Sequence, residues 1–195
     1  MKLAKLRAIP TLCLTVDDVA RALSSRPASA RVFCARAVKS GELLRLKRNR
    51  YMLRERWAHL ASEERWQVAN LLQVPSYVSL MTALGHYELT TQLQPDYIES
   101  VAIYRTQERS VGNTLFRYAK VAAPLYFGFV KQESYFIATP EKALLDCLYL
   151  ASLQRYHLDW QDLDLGRVKR PLVQRLLTRY PARTRRLWKQ VWTTS

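Results

Sequence analysis

The chain has 195 residues, and 31 Lys and Arg against 16 Asp and Glu give it a formal net charge of +15. Hydrophobic residues make up 49% of the chain, which is enough to bury a core and excludes a disordered basic tail. No run of about 18 apolar residues is present, which excludes a membrane span, and the basic start has no secretory apolar segment. We therefore expect a cytoplasmic protein whose partner carries negative charge.

The sequence carries no pattern of a metal, redox or cofactor site. Its cysteines lie far apart among apolar neighbours, as is typical of reduced, packed thiols: Cys13, Cys34 and Cys147. The three histidines are equally scattered, without the spacing that zinc needs. No G-x-G-x-x-G, Gly-Lys-Ser/Thr or G-x-S-x-G motif occurs. We expect no metal, no cofactor and no enzymatic activity.

The positive charge is concentrated at the two ends of the chain. Residues 1–60 hold 14 basic and 4 acidic residues, residues 61–160 hold 8 and 10, and residues 161–195 hold 9 and 2. A charge surplus that served only solubility would be spread more evenly. We therefore predict two domains, at 1–60 and 76–195, with a helical linker at 61–75. Together with the elements described below, this predicts an α+β protein whose first domain binds DNA.

Two short helices are predicted near the N-terminus. Thr15 and Asp18 have the spacing of a capping box, which starts a helix over 16–23. Pro27 suits the first position of a second helix, which ends near Gly41. The outward face of this second helix combines small and basic residues, as entry into a major groove requires: Ala28, Arg31, Val32, Ala35, Arg36 and Lys39.

A basic hairpin follows these helices. The apolar runs 43–46 and 51–53 flank a polar tip at 47–50, in which Asn49 is suited to a left-handed conformation. A helix-turn-helix followed by a basic hairpin is the order of a winged helix. The predicted DNA-binding residues are Arg26, Ser29, Arg31, Arg36, Lys39, Lys47, Arg48 and Arg50. The alternatives are a merely solvated basic face and a winged helix that binds protein.

The central region predicts a small, largely antiparallel sheet covered by a helix. The runs 98–104, 114–121, 125–130 and 134–138 are β-branched or aromatic, and polar segments such as 107–110 separate them. A capping hydroxyl, a proline and an acid start a helix at Thr139-Pro140-Glu141. On this helix we expect Lys142 and Asp146 to form an exposed i, i+4 pair and not an active site.

Three segments together resemble the AbiEi family of type IV antitoxins and related transcriptional regulators. They are Leu43–Leu53, Tyr77–Leu84 and Ala138–Asp146, and the similarity spans roughly residues 12–155. Members commonly have glycine where this chain has Asn49, and asparagine can adopt the same backbone conformation.

The resemblance implies a bacterial or phage-defence antitoxin. Its N-terminal domain would repress its own operon by binding double-stranded DNA at promoter repeats. Its C-terminal domain would neutralise a toxin with a nucleotidyltransferase fold. The family also includes solitary regulators without a toxin. An alternative outside the family is a protein-interaction module whose basic ends bind an acidic partner.

The C-terminal segment predicts an amphipathic basic helix that is broken at Pro181. Its apolar stripe would dock on the central domain and leave a second basic surface outward: Arg170, Arg175, Arg179, Arg183, Arg185 and Arg186. Three roles are open for this surface: a second DNA contact, a contact to an acidic protein or RNA, and a solvated face. A membrane-surface helix is disfavoured because Trp188 and Trp192 come only at its end.

Overall fold

The chain folds into two compact α+β units in the computed structural model, which describes residues 2–92 and 94–194. The first unit comprises residues up to Val68 together with Ser110–Asn113, and the second comprises Ala69–Arg109 and the residues from Thr114 onward. The predicted linker is helical, as helix α5 (Ser62–Leu72), and the division between the units falls within it.

The first unit contains four short helices, a two-stranded antiparallel sheet and the start of α5. Its elements are α1 (Lys2–Arg7), α2 (Val16–Ala22), α3 (Pro27–Lys39), β1 (Leu43–Lys47), β2 (Arg50–Leu53) and α4 (Arg54–Ala58). Helices α2 and α3 pack closely because the fully buried residues of α3 are small, namely Ala30, Cys34 and Ala37, and the larger Phe33 and Val38 pack partly buried at the edge of the same core. Helices α2 and α3 and the β1–β2 hairpin confirm the predicted pair of helices and the predicted hairpin. Helices α1 and α4 carry no strong sequence signal.

The second unit is built on a six-stranded sheet in the order β5-β6-β4-β3-β8-β7. Its strands are β3 (Ser76–Val78), β4 (Tyr97–Ala102), β5 (Gln107–Val111), β6 (Thr114–Lys120), β7 (Phe129–Gln132) and β8 (Tyr135–Ala138). Its helices are α6 (Leu80–His86), α7 (Pro140–Ser152), α8 (Arg170–Leu177) and α9 (Ala182–Thr194). Short 3-10 turns occur at Ala123–Leu125, Trp160–Asp162 and Leu165–Arg167.

The prediction of a largely antiparallel sheet is wrong, because the sheet is mixed. Strands β4 and β6 pair in parallel from Tyr97 opposite Leu115 to Ala102 opposite Lys120, and β3 and β8 are also parallel. The pairs β3–β4 and β7–β8 are antiparallel. Strands β4 and β6 are parallel because the chain passes from β4 to the edge strand β5 and then returns as β6, which lies between β4 and β5.

Two strand predictions fail for local reasons. The polar segment taken as a break at 107–110 belongs to β5, an edge strand whose side chains stay largely exposed. The strand predicted over 125–130 begins only at Phe129, because Pro124 lies in a 3-10 turn and Gly128 has a left-handed backbone with φ of +73°.

Helix α7 is the centre of the second unit. Every residue from Glu141 to Leu150 is buried, because α6 and β8 contact the helix along with α8 and α9. No helix in the described part of the chain is long and apolar enough to cross a membrane.

Lys142 and Asp146 form a fully buried ion pair on α7, so the prediction of an exposed pair is wrong. Lys142 Nζ donates to Asp146 Oδ1 at 2.5 Å, and both side chains have 0% exposure. The error arises because the sequence shows the i, i+4 spacing but not the elements that cover the helix. Loss of hydration lowers the pKa of Lys142 and raises that of Asp146, and the mutual hydrogen bond opposes both shifts.

Hydrogen bonds with four other residues of the second unit complete this buried pair. Lys142 Nζ also donates to the Leu125 carbonyl and to the Tyr180 hydroxyl, each at 2.8 Å. Asp146 Oδ2 accepts from the hydroxyls of Tyr77 at 2.9 Å and Ser79 at 2.8 Å. All three ammonium protons have acceptors, and both carboxylate oxygens have donors, which is the condition under which a buried ion pair is tolerated.

We expect Lys142→Met to lower the free energy of unfolding by about 3–5 kcal/mol, because it leaves the Asp146 carboxylate buried without its counter-charge. Urea unfolding of the full chain measures this effect. The double variant Lys142→Met/Asp146→Leu should recover part of the loss. Lys131→Met, on the exposed side of β7, is the matched control and should change the value by less than about 0.5 kcal/mol. Equal effects of the single variants at 142 and 131 would contradict a structural ion pair.

Candidate nucleic-acid interface

The hairpin of the first unit is tied to the start of α2 by backbone pairing. Leu14 and Tyr51 exchange two hydrogen bonds of 2.8 Å, so the segment before α2 forms a short antiparallel bridge to β2. This bridge places the N-terminus of α2 beside the hairpin.

The predicted capping box starts α2. The amide of Asp18 donates to Thr15 Oγ1 at 3.1 Å, and the amide of Thr15 donates to Asp18 Oδ2 at 2.8 Å. Hydrogen bonds from the Thr15 side chain and backbone hold the pKa of Asp18 below its ordinary value of 3.8. The capping box therefore works with an ionised Asp18 at neutral pH.

Asn49 serves both the hairpin turn and helix α2. Its φ of +57° confirms the predicted left-handed conformation, and its Oδ1 accepts from the amide of Val16 at 3.0 Å. That amide belongs to the first residue of α2 and has no partner within the helix. A glycine could supply the backbone conformation but not this hydrogen bond.

Helix α3 presents an exposed face without acidic residues. Its sequence contains no Asp or Glu, and Arg31, Arg36 and Lys39 are exposed. Val32 lies among them and is 51% exposed. Arg26 occupies the N-cap position without a side-chain capping hydrogen bond, and Ser29 lies in the first turn, so the predicted residues extend over about 20 Å of helix axis.

The hairpin tip is also basic. Strands β1 and β2 extend further than predicted, so that Lys47 lies opposite Arg50 and only Arg48 and Asn49 form the turn. Like charges on opposite residues destabilise a strand pair. Burial raises the pKa of the nearby Cys13 thiol to about 11, although the positive charges of Arg50, Arg56 and Lys47 oppose this rise. The tip thus holds three basic residues, two of which, Lys47 and Arg50, are cross-strand neighbours.

Other basic residues of the first unit are used by the fold. Arg7 pairs with Glu55 at 2.6 Å, Arg21 pairs with Asp18 at 2.5 Å, and Arg54 donates to the Gly41 carbonyl at 2.6 Å. Within residues 2–92 and 94–194, by contrast, no intramolecular ion pair involves the predicted residues Arg26, Arg31, Arg36, Lys39 or Arg48.

The structure adds one residue that the prediction missed. Arg45 is exposed on β1 between the buried residues Leu44 and Leu46. The alternation of apolar and basic residues in this strand is the signal that could have identified it.

The predicted second basic surface divides into two groups in the second unit. Two residues stack on aromatic rings: Arg170 lies 4.7 Å from the centre of the Trp192 ring, and Arg179 lies 3.7 Å from that of Phe127. Arg179 also donates to the Pro124 carbonyl at 3.1 Å. The other four are exposed on α8 and α9: Arg175, Arg183, Arg185 and Arg186.

Comparison with solved structures finds a shared fold. The crystal structure of the RV2827C protein from Mycobacterium tuberculosis aligns with a TM-score of 0.60 at 12% identity, over 97% of this chain and 74% of that one. No protein-family model and no curated protein matches the chain. The likeness supports the α+β architecture of the chain.

We expect Asn49→Gly to speed hydrogen exchange at the Val16 amide while the hairpin stays intact, because glycine keeps the left-handed turn and loses only the side-chain acceptor. Asn49→Ala should cost about 1–3 kcal/mol more, because it also strains the turn. Exchange of α2 amides and urea unfolding measure the two effects.

Ser24 is the matched control, since it also has a positive φ of 48°. Ser24→Gly relieves the strained conformation and should leave stability unchanged or raised. Unchanged exchange at Val16 in both Asn49 variants would show that the side chain does not cap α2.

Proposed function

We propose that the chain is a non-enzymatic, cytoplasmic repressor whose first unit is a DNA-binding winged helix. The order of helix pair and hairpin supports this reading, and so does the one-residue bridge between Leu14 and Tyr51, which joins the segment before α2 to the hairpin. The observation that carries the proposal is the face of α3, which is exposed, acid-free and composed of small and basic side chains. A face of this kind suits a major groove lined by phosphate.

Each part of the interface has a distinct role in the proposed complex. Arg31, Arg36 and Ser29 face base edges or flanking phosphates, and the exposed Val32 offers an apolar contact to a thymine methyl group. The hairpin tip contributes charge to the sugar-phosphate backbone and carries no direct sequence information. Contacts to about six phosphates give a slope near −5 in a plot of log affinity against log salt concentration.

We expect Lys47→Ala/Arg48→Ala/Arg50→Ala to weaken binding to the chain's own promoter and to reduce the steepness of the salt slope by about 2–3, because three phosphate contacts are lost. Gel-shift titration over a range of salt concentrations measures both quantities. The triple variant Arg105→Ala/Lys120→Ala/Lys131→Ala removes the same charge from exposed positions elsewhere and is the control. Unchanged affinity in the hairpin variant would refute the role of the tip.

Sequence-specific recognition separates the repressor from a general interaction module. Val32→Glu places a carboxylate on the exposed face of α3 and should abolish the preference for the promoter over random duplex. A chain that shows no such preference even as wild type would instead be a module for an acidic partner.

We further propose that the chain is the antitoxin of a type IV system. The support is the resemblance of Tyr77–Leu84 and Ala138–Asp146 to the AbiEi family. These two segments meet in the buried cluster of Tyr77, Ser79, Lys142 and Asp146, so they stabilise the second unit and do not themselves offer a surface to a toxin. Neutralisation would depend on exposed residues that this cluster holds in place.

Co-expression with a nucleotidyltransferase-like toxin from the adjacent gene tests the antitoxin role, and we expect the chain to restore growth. The hairpin variant should lose repression and keep neutralisation, because its changes lie in the first unit. Absence of such a gene, or no rescue by a soluble chain, would leave a solitary regulator.

A further inference from the structure

The C-terminal helices present a basic surface that the fold does not use. Helices α8 and α9 contain no Asp or Glu. On α9, Thr184, Trp188 and Val191 are buried, whereas three arginines are exposed within four residues. We call these three the α9 arginines: Arg183, Arg185 and Arg186.

Other arginines in the same region have structural partners. Arg167 pairs with Glu88 at 2.7 Å and with Asp164 at 3.1 Å, and Arg170 and Arg179 stack on Trp192 and Phe127. In the described part of the chain, no ion pair or ring contact involves the α9 arginines. The fold therefore accounts for one group of arginines and leaves the other exposed to solvent.

The position of the α9 arginines is unfavourable for the helix itself. They lie in its first turns, where the helix dipole favours acidic residues. Arg183 and Arg186 are one turn apart, so their like charges repel. The arrangement becomes favourable when a polyanion neutralises it.

The chemistry of the surface fits phosphate better than an acidic protein. A protein interface has apolar or aromatic anchors at its centre, and the large apolar side chains found exposed in the described residues are Val32, Val74, Tyr104, Val130 and Phe136, none of them on α8 or α9. The guanidinium group binds phosphate through two parallel hydrogen bonds. Contacts to a phosphate backbone need charge and donors alone.

We propose that the α9 arginines bind the phosphate backbone of double-stranded DNA, as a contact of the second unit without sequence preference. This contact does not depend on operator recognition by the first unit. The two are separable because operator recognition determines the ratio of promoter to random-duplex affinity, whereas the α9 contact adds equally to both.

Titration of the full chain on a random-sequence duplex over a range of salt concentrations tests the proposal. Arg183→Ala/Arg185→Ala/Arg186→Ala should reduce the steepness of the salt slope by about 2–3, and should leave the promoter preference unchanged. The control variant Arg105→Ala/Lys120→Ala/Lys131→Ala loses the same number of positive charges. It should change the slope by less than about 1, since these charges act on the DNA only at long range. The α9 effect should persist when the hairpin tip is also substituted.

A charge-preserving variant separates binding from damage to the fold. Arg183→Lys/Arg185→Lys/Arg186→Lys should keep the slope of the wild type, because counterion release depends on charge. A loss of slope in this variant would overturn the proposal, as would an unchanged slope in the alanine variant. An alanine variant that loses affinity for poly-glutamate but keeps its slope on DNA would also overturn it, in favour of an acidic protein partner.

Discussion

The buried ion pair between Lys142 and Asp146 is the constraint on which the second unit depends. Its partners come from β3, from the turn that contains Leu125 and from Tyr180, which precedes α9. Apolar contacts have no direction, so they define the register of a buried helix through side-chain shape alone. The ion pair is satisfied in a single register only, since any shift would leave a buried charge without its hydrogen bonds. We infer that the pair selects one arrangement of α7 among several that are almost equally apolar.

The first unit shows how the same residue type serves fold and surface. Arg7, Arg21 and Arg54 are used in ion pairs and caps, whereas Arg31 and Arg36 extend from a helix that has no acid to pair with them. Exposed ion pairs add little to the free energy of folding, so the unit would gain little stability if Arg31 and Arg36 had acidic partners. Their surplus is informative because it remains after the structural requirements of the unit are met.

Local signals made much of this structure predictable. The capping box at Thr15, the proline at position 27 and the left-handed Asn49 each act through neighbouring backbone atoms, and each was identifiable from a few residues of sequence. Long-range features were not. The parallel pairing of β4 with β6 depends on where β5 is placed, and the burial of Lys142 depends on helices that follow it by about thirty residues or more. Spacing alone cannot distinguish an exposed ion pair from a buried one, because both have the same i, i+4 geometry.

Asn49 and Lys142 lie in two of the three segments on which the proposed family resemblance rests. Asn49 stands where the proposed resemblance would place glycine, and its side chain adds a hydrogen bond to α2 that glycine cannot make while keeping a left-handed backbone. The segments around Tyr77 and Lys142, on which the proposed resemblance rests, are buried, and loss of Lys142 would leave the Asp146 carboxylate without its counter-charge. Both segments belong to the framework of the second unit. Under the proposed function, specificity for a DNA sequence or a toxin would reside in exposed side chains, which the framework positions but does not determine.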